Sequence, residues 1–149
     1  MNMAIDEAIL NIERGGGPFG AIIVKEGKII SNCGNRVTKD NDPTAHAELL
    51  AIREAARILG NWDLSGCEIY CSCEPCPMCL GAIYWAHIQV IFYGANREDA
   101  RIAGFDDSFI YDEILVEPEK RKIKMHNILR EKAIKGFEKW KKFPEKEGY

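Results

Sequence analysis

Two short motifs restrict what this chain can fold into more than any other feature of its sequence. Residues 46–48 read His-Ala-Glu, and residues 75–79 read Pro-Cys-Pro-Met-Cys. One imidazole and two thiolates form a ligand set that suits a tetrahedral zinc ion. Three protein ligands leave the fourth position to water or hydroxide, as in catalytic zinc sites. We therefore expect one zinc ion per subunit, held by His46, Cys76 and Cys79, with Glu48 close enough to exchange protons with the water.

Other cysteines near the second motif leave an alternative ligand set open. Cys71 and Cys73 precede Cys76 and Cys79 closely, so four thiolates could hold an iron–sulfur cluster or a structural zinc ion. Both residues, however, alternate with polar neighbours in a predicted strand, and a free cysteine is commonly buried in a core. The four-thiolate arrangement also leaves the histidine motif without a role.

The hydrophobic pattern predicts an α/β domain in which strands and helices alternate. Strands are expected at residues 19–25, 29–33, 67–73 and 89–94, with a weaker candidate at 123–128. Helices are expected at residues 3–14, 44–59, 76–87 and 129–143, with weaker signals at 97–103 and after Gly104. In the first helix, the apolar stripe is expected to consist of Ile5, Ala8, Ile9 and Ile12. Such alternation favours a layered domain with adjacent parallel strands, in which two helix starts converge on the metal.

Length and composition are those of an ordinary globular protein. At 149 residues, with 46% hydrophobic and 29% charged residues, we expect a single domain over 1–149. No apolar run approaches the roughly 20 residues of a membrane span, and the N-terminus lacks a secretory signal pattern. Six cysteines in such a chain indicate a reducing compartment, so a cytoplasmic location is expected.

The charge is unevenly distributed along the chain. The net charge is −3, but residues 1–119 carry −10 and residues 120–149 carry +7. A basic C-terminal segment of this kind could bind nucleic acid, or could lie against an acidic body of its own or of a partner subunit. It could also be a solvated helix face.

The two motifs also carry a resemblance to a known family. They are similar to the H-x-E and P-C-x-x-C signatures of the cytidine and deoxycytidylate deaminase superfamily. Within this superfamily the sequence resembles bacterial guanine deaminases more closely than tRNA adenosine deaminases. The similar segments cover nearly the whole chain and include residues 16–20, 43–48, 72–79, 81–86 and 104–111, together with Asn35 and Tyr149. The resemblance implies a three-layer α/β/α fold, with a mixed sheet of about five strands flanked by helices.

The resemblance also implies an activity and a set of site residues. The expected reaction is zinc-dependent hydrolysis of guanine to xanthine and ammonia, with Glu48 as the catalytic proton carrier. The expected substrate contacts are Asn35, the backbone of Ala47, the walls Phe19 and Trp85, the carboxylate of Asp107, and Tyr149 from a C-terminal segment that closes over the site. An ionised carboxylate at Asp107 would accept N–H donors that guanine presents and adenine lacks. Alternatively, Asp106 and Asp107 only cap the following helix.

Several functions remain open at this level. Guanosine or aminotriazine deamination differs from guanine deamination only in the size of the pocket. A tRNA adenosine deaminase would use the basic C-terminus to bind RNA, although the acidic body makes nucleic acid an unexpected partner. A structural zinc module would need neither Glu48 nor an open coordination position. The resemblance implies a homodimer, in which the C-terminal segment could be exchanged between subunits.

Overall fold

A computed structural model describes residues 1–148 of the protein. Its elements in chain order are α1 Asn2–Glu13, β1 Gly17–Lys25, β2 Lys28–Asn35, α2 Val37–Asp40, α3 Ala47–Leu59, β3 Cys67–Cys73, α4 Pro77–Trp85, β4 Val90–Ala95, α5 Arg97–Ile102, α6 Ser108–Leu115, a 3-10 helix Pro118–Lys120, and α7 Arg130–Lys142. Two compact units are distinguished, residues 1–107 and the residues from 108 onward. A single domain over 1–149 therefore stays a prediction.

The first unit is built around one mixed sheet with the strand order β2-β1-β3-β4. Strand β1 is antiparallel to both β2 and β3, whereas β3 and β4 are parallel. The prediction of a mixed α/β sheet is confirmed, but the expected number of about five strands is wrong. Residues 123–128 form no strand in the described structure, because Ile123 and Ile128 are 81% and 75% exposed and pack into no core.

Helices cover both faces of this sheet, which gives the three expected layers. Alternate residues of a strand point to opposite faces. On one face, Ala21 and Ile23 of β1 lie in a core cluster with Ala51 of α3. On the other face, the backbone of α1 approaches β1 so closely that a Cβ atom at Gly20 would overlap the carbonyl oxygen of Ala4. The α/β/α architecture is therefore confirmed.

The face that α1 turns to the sheet differs from the predicted stripe. Its buried residues are Ala4, Ala8 and Asn11, whereas Ile9 and Ile12 are 57% and 54% exposed. Close contact with a glycine-containing strand leaves room only for small or hydrogen-bonded side chains beneath the helix. The hydrophobic periodicity identified the helix and the buried position of Ala8 correctly, but it was wrong for Ile5, Ile9 and Ile12 and did not predict Ala4 or Asn11.

The second unit contains α6, the 3-10 helix and α7. None of residues 108–148 is buried. Polar contacts connect its first half: the guanidinium of Arg121 donates to the carbonyl oxygen of Val116 at 2.9 Å, and the Lys122 N–H donates to Glu113 at 2.7 Å. The basic helix predicted near residues 129–143 is present as α7. Among the described residues, every helix is too short or too polar to cross a bilayer.

Candidate active site

The candidate metal ligands lie at the starts of two helices. His46 is the N-cap of α3 and Cys76 is the N-cap of α4, and both have extended backbones instead of the helical ones predicted from sequence. Pro77 follows Cys76 as the first helical residue, a position where proline is favoured because its missing N–H has no helical partner. Before α3, the carboxylate of Asp42 accepts the N–H and the hydroxyl of Thr44 at 2.8 and 2.7 Å, and this turn leads the chain into His46.

The three predicted ligands form one cluster. His46 Nδ1 lies 3.7 Å from Cys76 Sγ and 3.5 Å from Cys79 Sγ, and the two sulfur atoms are 3.6 Å apart. Zinc bonds of about 2.3 Å to sulfur and about 2.0–2.1 Å to nitrogen place tetrahedral ligand atoms about 3.5–3.8 Å apart. The side chains therefore fit zinc without rearrangement, and no other group of three or more such ligands occurs among residues 1–148.

The protonation of the cluster also favours a cation. Hydrogen bonds from Cys79 and His46, opposed by burial, lower the pKa of Cys76 to about 4. The pKa of Cys79 is raised, first by its hydrogen bond to Cys76 and then by burial, while the pKa of His46 is raised mainly by its hydrogen bond to Cys76. Cys76 is thus a thiolate that accepts hydrogen bonds from Cys79 and His46. A bound metal ion would take the place of the protons in these hydrogen bonds.

Glu48 is the buried carboxyl group beside this cluster. It occupies the first turn of α3 and is only 7% exposed. Burial raises the pKa of Glu48, because removing a carboxylate from water disfavours its charged form. A carboxyl group whose pKa is raised in this way is suited to both accepting and returning a proton.

A cavity of about 560 Å³ lies within the first unit, next to the metal-ligand cluster. His46, Glu48 and Cys76 line it, together with Asn35 at the end of β2. Asn35 is 7% exposed, and its Oδ1 accepts the N–H of Val37 at 3.2 Å. This bond turns the amide so that Nδ2 is the donor that Asn35 can offer to the cavity.

The opposite wall of the cavity comes from the loop that follows α5. Asp107 lines the cavity. The pKa of its carboxyl group is raised mainly by burial and, to a smaller extent, by the negative charge of the nearby Cys76 thiolate. Phe19 of β1 meets Phe105 of this loop edge to face, with ring centroids 4.9 Å apart. The cavity therefore combines an aromatic wall, an amide donor and a carboxylate acceptor with the metal ligands.

Not every predicted contact lies on the wall of this cavity. Ala47 is fully buried behind His46, where only its backbone could contribute. Trp85 lies at the end of α4, is 64% exposed and is not among the residues that line the cavity. Tyr149 lies outside the described residues. The substrate-binding roles of these three residues stay predictions, as do those of the cavity-lining residues Asn35, Phe19 and Asp107.

Sequence reasoning overlooked several residues that line the cavity. Phe105 lies within the segment 104–111 that carries the resemblance, but no role was predicted for it, although its ring packs against Phe19 in the aromatic wall. Glu74 and Arg97 also line the cavity, and the Glu74 carboxylate accepts the Arg97 N–H at 3.1 Å. Glu74 immediately precedes the second motif, residues 75–79, so its proximity to the metal ligands was the available signal.

The class of this protein follows from the number of protein ligands in the cluster and from the cavity next to it. A structural zinc site is closed by four protein ligands, whereas this cluster has three, two of which, His46 and Cys76, line a cavity that also contains the buried carboxyl group of Glu48. The family model of the cytidine and deoxycytidylate deaminase zinc-binding region matches residues 1–95. The chain belongs to this family.

Individual relatives extend the match beyond residue 95. The guanine deaminase of Bacillus subtilis is 53% identical over 134 residues, which cover 90% of this chain and 86% of that protein. The crystal structure of guanine deaminase from Bacillus subtilis superposes with a TM-score of 0.97 at 50% identity, covering 99% of this chain and 95% of that one. A tRNA-specific adenosine deaminase of Aquifex aeolicus is 48% identical over 95 residues, which cover 64% of this chain and 63% of that protein.

Proposed function

We propose that this protein is a zinc-dependent guanine deaminase, which converts guanine and water to xanthine and ammonia. The observation that carries the proposal is the presence of Asp107 in the same cavity as the His46, Cys76 and Cys79 cluster. The near full-length similarity to the guanine deaminase of Bacillus subtilis supports the same activity. The metal-ligand cluster would account for the deamination, and the Asp107 carboxylate would account for the selection of guanine as the substrate.

His46, Cys76 and Cys79 would hold one zinc ion per subunit. When bound, zinc supplies a nucleophile at neutral pH by lowering the pKa of a coordinated water from about 15.7 towards about 7. Glu48 would accept a proton from the attacking water and deliver it to a ring nitrogen, then accept the proton of the hydroxyl that has been added to the ring carbon and deliver it to the departing amine. Its burial next to the cluster and its raised pKa support this shuttle.

Asn35 and the backbone N–H of Ala47 would hydrogen-bond the purine. The orientation of the Asn35 amide supports a donor role, because its oxygen is already engaged by Val37. Phe19 would form one wall of the pocket, and Trp85 is the second predicted wall.

Asp107 is the residue that would select guanine over adenine. The edge of guanine that carries the reacting amine presents N–H donors, and an ionised carboxylate is only an acceptor. Adenine would leave this acceptor unpaired, which disfavours it. The position of Asp107 on the cavity wall favours this role over capping α6.

The decisive measurement is ammonia release from guanine, guanosine, adenine, cytosine and cytidine under one set of conditions. We expect turnover of guanine and at least about 100-fold lower kcat/KM for adenine, the discrimination that unpaired polar groups provide. Preferred turnover of a nucleoside or of cytosine would overturn the assignment to guanine. Absence of turnover for all five substrates by the zinc-loaded protein would overturn the assignment to guanine and leave the tRNA adenosine deaminase and the structural zinc module.

A second candidate is deamination of adenosine in tRNA. The basic last turn of α7, with Lys139, Lys141 and Lys142, favours it, as does the similarity to tRNA-specific adenosine deaminases. This function requires RNA binding that weakens steeply with salt. A guanine deaminase should turn over the free base equally well with and without RNA.

We further propose that the protein is a cytoplasmic homodimer in which the C-terminal segment, including Tyr149, closes over its own or the partner's site. The opposite charges of residues 1–119 and 120–149 support a partner surface for the basic segment. All six cysteines are free, which supports a reducing compartment. Deletion of residues 144–149 should raise KM for guanine, and an unchanged KM would exclude Tyr149 from the site.

Closure by the same or the other subunit can be distinguished by mixing two variants that each have little activity when guanine is kept well below the raised KM. The Glu48→Gln protein and the protein truncated after residue 143 are refolded together and assayed. If the segment acts on the partner, mixed dimers contain one complete site and regain activity. If it acts within its own subunit, the mixture stays inactive.

A further inference from the structure

A buried asparagine of α1 connects to the proposed substrate site without touching the cavity. Asn11 is 6% exposed, and its Nδ2 donates to the carbonyl oxygen of Gly17 at 2.8 Å and to that of Asn35 at 2.7 Å. Both N–H groups of the amide are therefore used. Asn11 is not among the residues that line the cavity.

The two acceptors belong to β1 and β2 at the point where their pairing becomes irregular. Gly17 pairs with Asn35, but the register shifts between Gly17 and Gly20, where Gly20 pairs with Gly34. A bulge of this kind interrupts the ladder and leaves backbone groups without strand partners. Next to this interruption the Asn11 amide binds one carbonyl on each of the two strands, so it holds the start of β1 and the end of β2 together.

Neighbouring glycines keep space for the Asn11 side chain. A Cβ atom at Gly34 would lie 2.5 Å from Asn11 Cγ, and one at Gly16 would overlap both Asn11 Nδ2 and the Asn35 carbonyl oxygen. The Asn11 side chain therefore occupies space that exists because positions 16 and 34 are glycine. Its two hydrogen bonds and this matching space indicate a specific contact.

Two hydrogen bonds consequently fix Asn35, one to its backbone and one to its side chain. Its carbonyl oxygen accepts Asn11 Nδ2, and its Oδ1 accepts the Val37 N–H. Because Oδ1 is engaged by Val37, Nδ2 is the donor that Asn35 can offer to the cavity, which Gly17 and Phe19 also line. A displacement of the Asn35 backbone would move this donor relative to the metal ligands, which are carried by other elements.

We propose that Asn11 is a positioning residue, which orients the Asn35 amide for the purine. The proposal rests on the proposed function, in which Asn35 binds the substrate. Misplacing a substrate-binding group by about 1 Å can reduce turnover by about 100-fold. Because Asn35 would bind substrate and transition state alike, the loss should appear mainly as an increase in KM.

The test is a double-mutant cycle with Asn11→Leu and Asn35→Ala. Leucine resembles asparagine in size but cannot donate a hydrogen bond. We expect Asn11→Leu to lower kcat/KM for guanine by about 10- to 100-fold, mainly through KM. In the Asn35→Ala background the same substitution should have almost no further effect, since its target is absent. Additive losses would overturn the proposal in favour of general destabilisation.

Ser31→Ala is the matched control. Ser31 lies on β2, is 4% exposed, and its hydroxyl donates to the Ala51 carbonyl oxygen at 2.9 Å, away from the cavity. This variant also loses a buried hydrogen bond but should keep the KM of the wild type. Activities are normalised to the folded fraction from circular dichroism. If Asn11→Leu does not fold, Asn11→Ser, which can keep at most one of the two bonds, replaces it in the cycle.

Amide hydrogen exchange separates this proposal from the proposed function. The Val37 N–H should exchange faster in the Asn11 variant, because its acceptor, Asn35 Oδ1, is no longer held in place. Ser31→Ala should leave Val37 exchange unchanged. If the wild type fails to deaminate guanine, the guanine assignment fails, and the exchange rates alone decide whether Asn11 positions Asn35. Unchanged exchange at Val37 would overturn the positioning role.

Discussion

The sulfur atoms of Cys76 and Cys79 lie 3.6 Å apart, the separation expected for two corners of a tetrahedral zinc site. Cys76 precedes the first residue of α4 and Cys79 lies in its first turn, so this separation is set locally by the start of one helix. The third corner, His46 Nδ1, comes from the start of α3. Two of the three protein ligands are therefore positioned by the start of a single helix, whereas the third, His46, is brought to them by the packing of α3 against the sheet.

The first prediction concerns loss of the metal. Cys79→Ser should remove most of the bound zinc and of the ammonia release, because a hydroxyl is a poor zinc ligand compared with a thiolate. The protein should also unfold at a lower temperature, since metal binding contributes to folding. Zinc is measured by atomic absorption together with the melting temperature. Cys33→Ala, which removes a free cysteine outside the cluster, should retain zinc and activity.

The second prediction separates catalysis from metal binding. Glu48→Gln should keep its zinc but lower kcat by about 10²–10⁴-fold, the range for loss of a positioned proton carrier. Glu54→Gln is the matched control, because Glu54 lies on the same helix but forms an exposed ion pair with Arg57. Zinc content and kcat are measured for both variants. Intact turnover by the zinc-loaded Glu48→Gln protein would rule out the proposed proton shuttle.

The sequence was most informative where structure depends on neighbouring residues. His46, Glu48, Cys76 and Cys79 could be grouped by motif alone, because helix starts determine their local geometry and zinc chemistry relates the two motifs. Alternation along Cys67–Cys73 also predicted β3 correctly. In each of these cases the determining information lies within one or two helical turns or one strand.

The sequence was least informative where the decisive partner lies far along the chain. Ile9 and Ile12 fit a helical stripe, but the close approach of α1 to Gly20 turned Asn11 to the sheet instead. The segment at 123–128 has the composition of a strand, yet no pairing partner among the described residues. The hydrogen bonds of Asn11 depend on a bulge between β1 and β2, which hydrophobic periodicity does not encode.

The third prediction tests substrate selection. Asp107→Asn should lower kcat/KM for guanine by about 10- to 100-fold, as expected from the roughly 1.5–3 kcal/mol of a hydrogen bond to a charged group. The ratio of adenine to guanine turnover should rise, because an amide can both donate and accept. Asp106→Asn is the comparison, since it neutralises the adjacent carboxylate. A larger loss in that variant would transfer the selecting role to Asp106.

The fourth prediction concerns the acid stability of the turn before α3. Hydrogen bonds from the Thr44 hydroxyl and backbone lower the pKa of Asp42 in the folded state. Its unfolded pKa is about 3.9, so the ionised carboxylate stabilises the fold fully above about pH 4. This contribution is lost as the pH falls through the lowered pKa. Asp42→Asn, which keeps the shape but not the charge, should therefore destabilise the protein at pH 6, and the destabilisation should become smaller as the pH falls towards 2.

Urea unfolding of the wild type and the Asp42→Asn variant between pH 2 and pH 6 measures this difference directly. Acid also releases metal from its thiolate ligands, but it does so in both proteins, so the difference in the free energy of unfolding isolates Asp42. Thr44→Val removes only the hydroxyl donor and keeps the backbone bond at 2.8 Å, so it should show part of the effect. A difference that stays constant from pH 2 to pH 6 would show that the charge of Asp42 does not stabilise the turn.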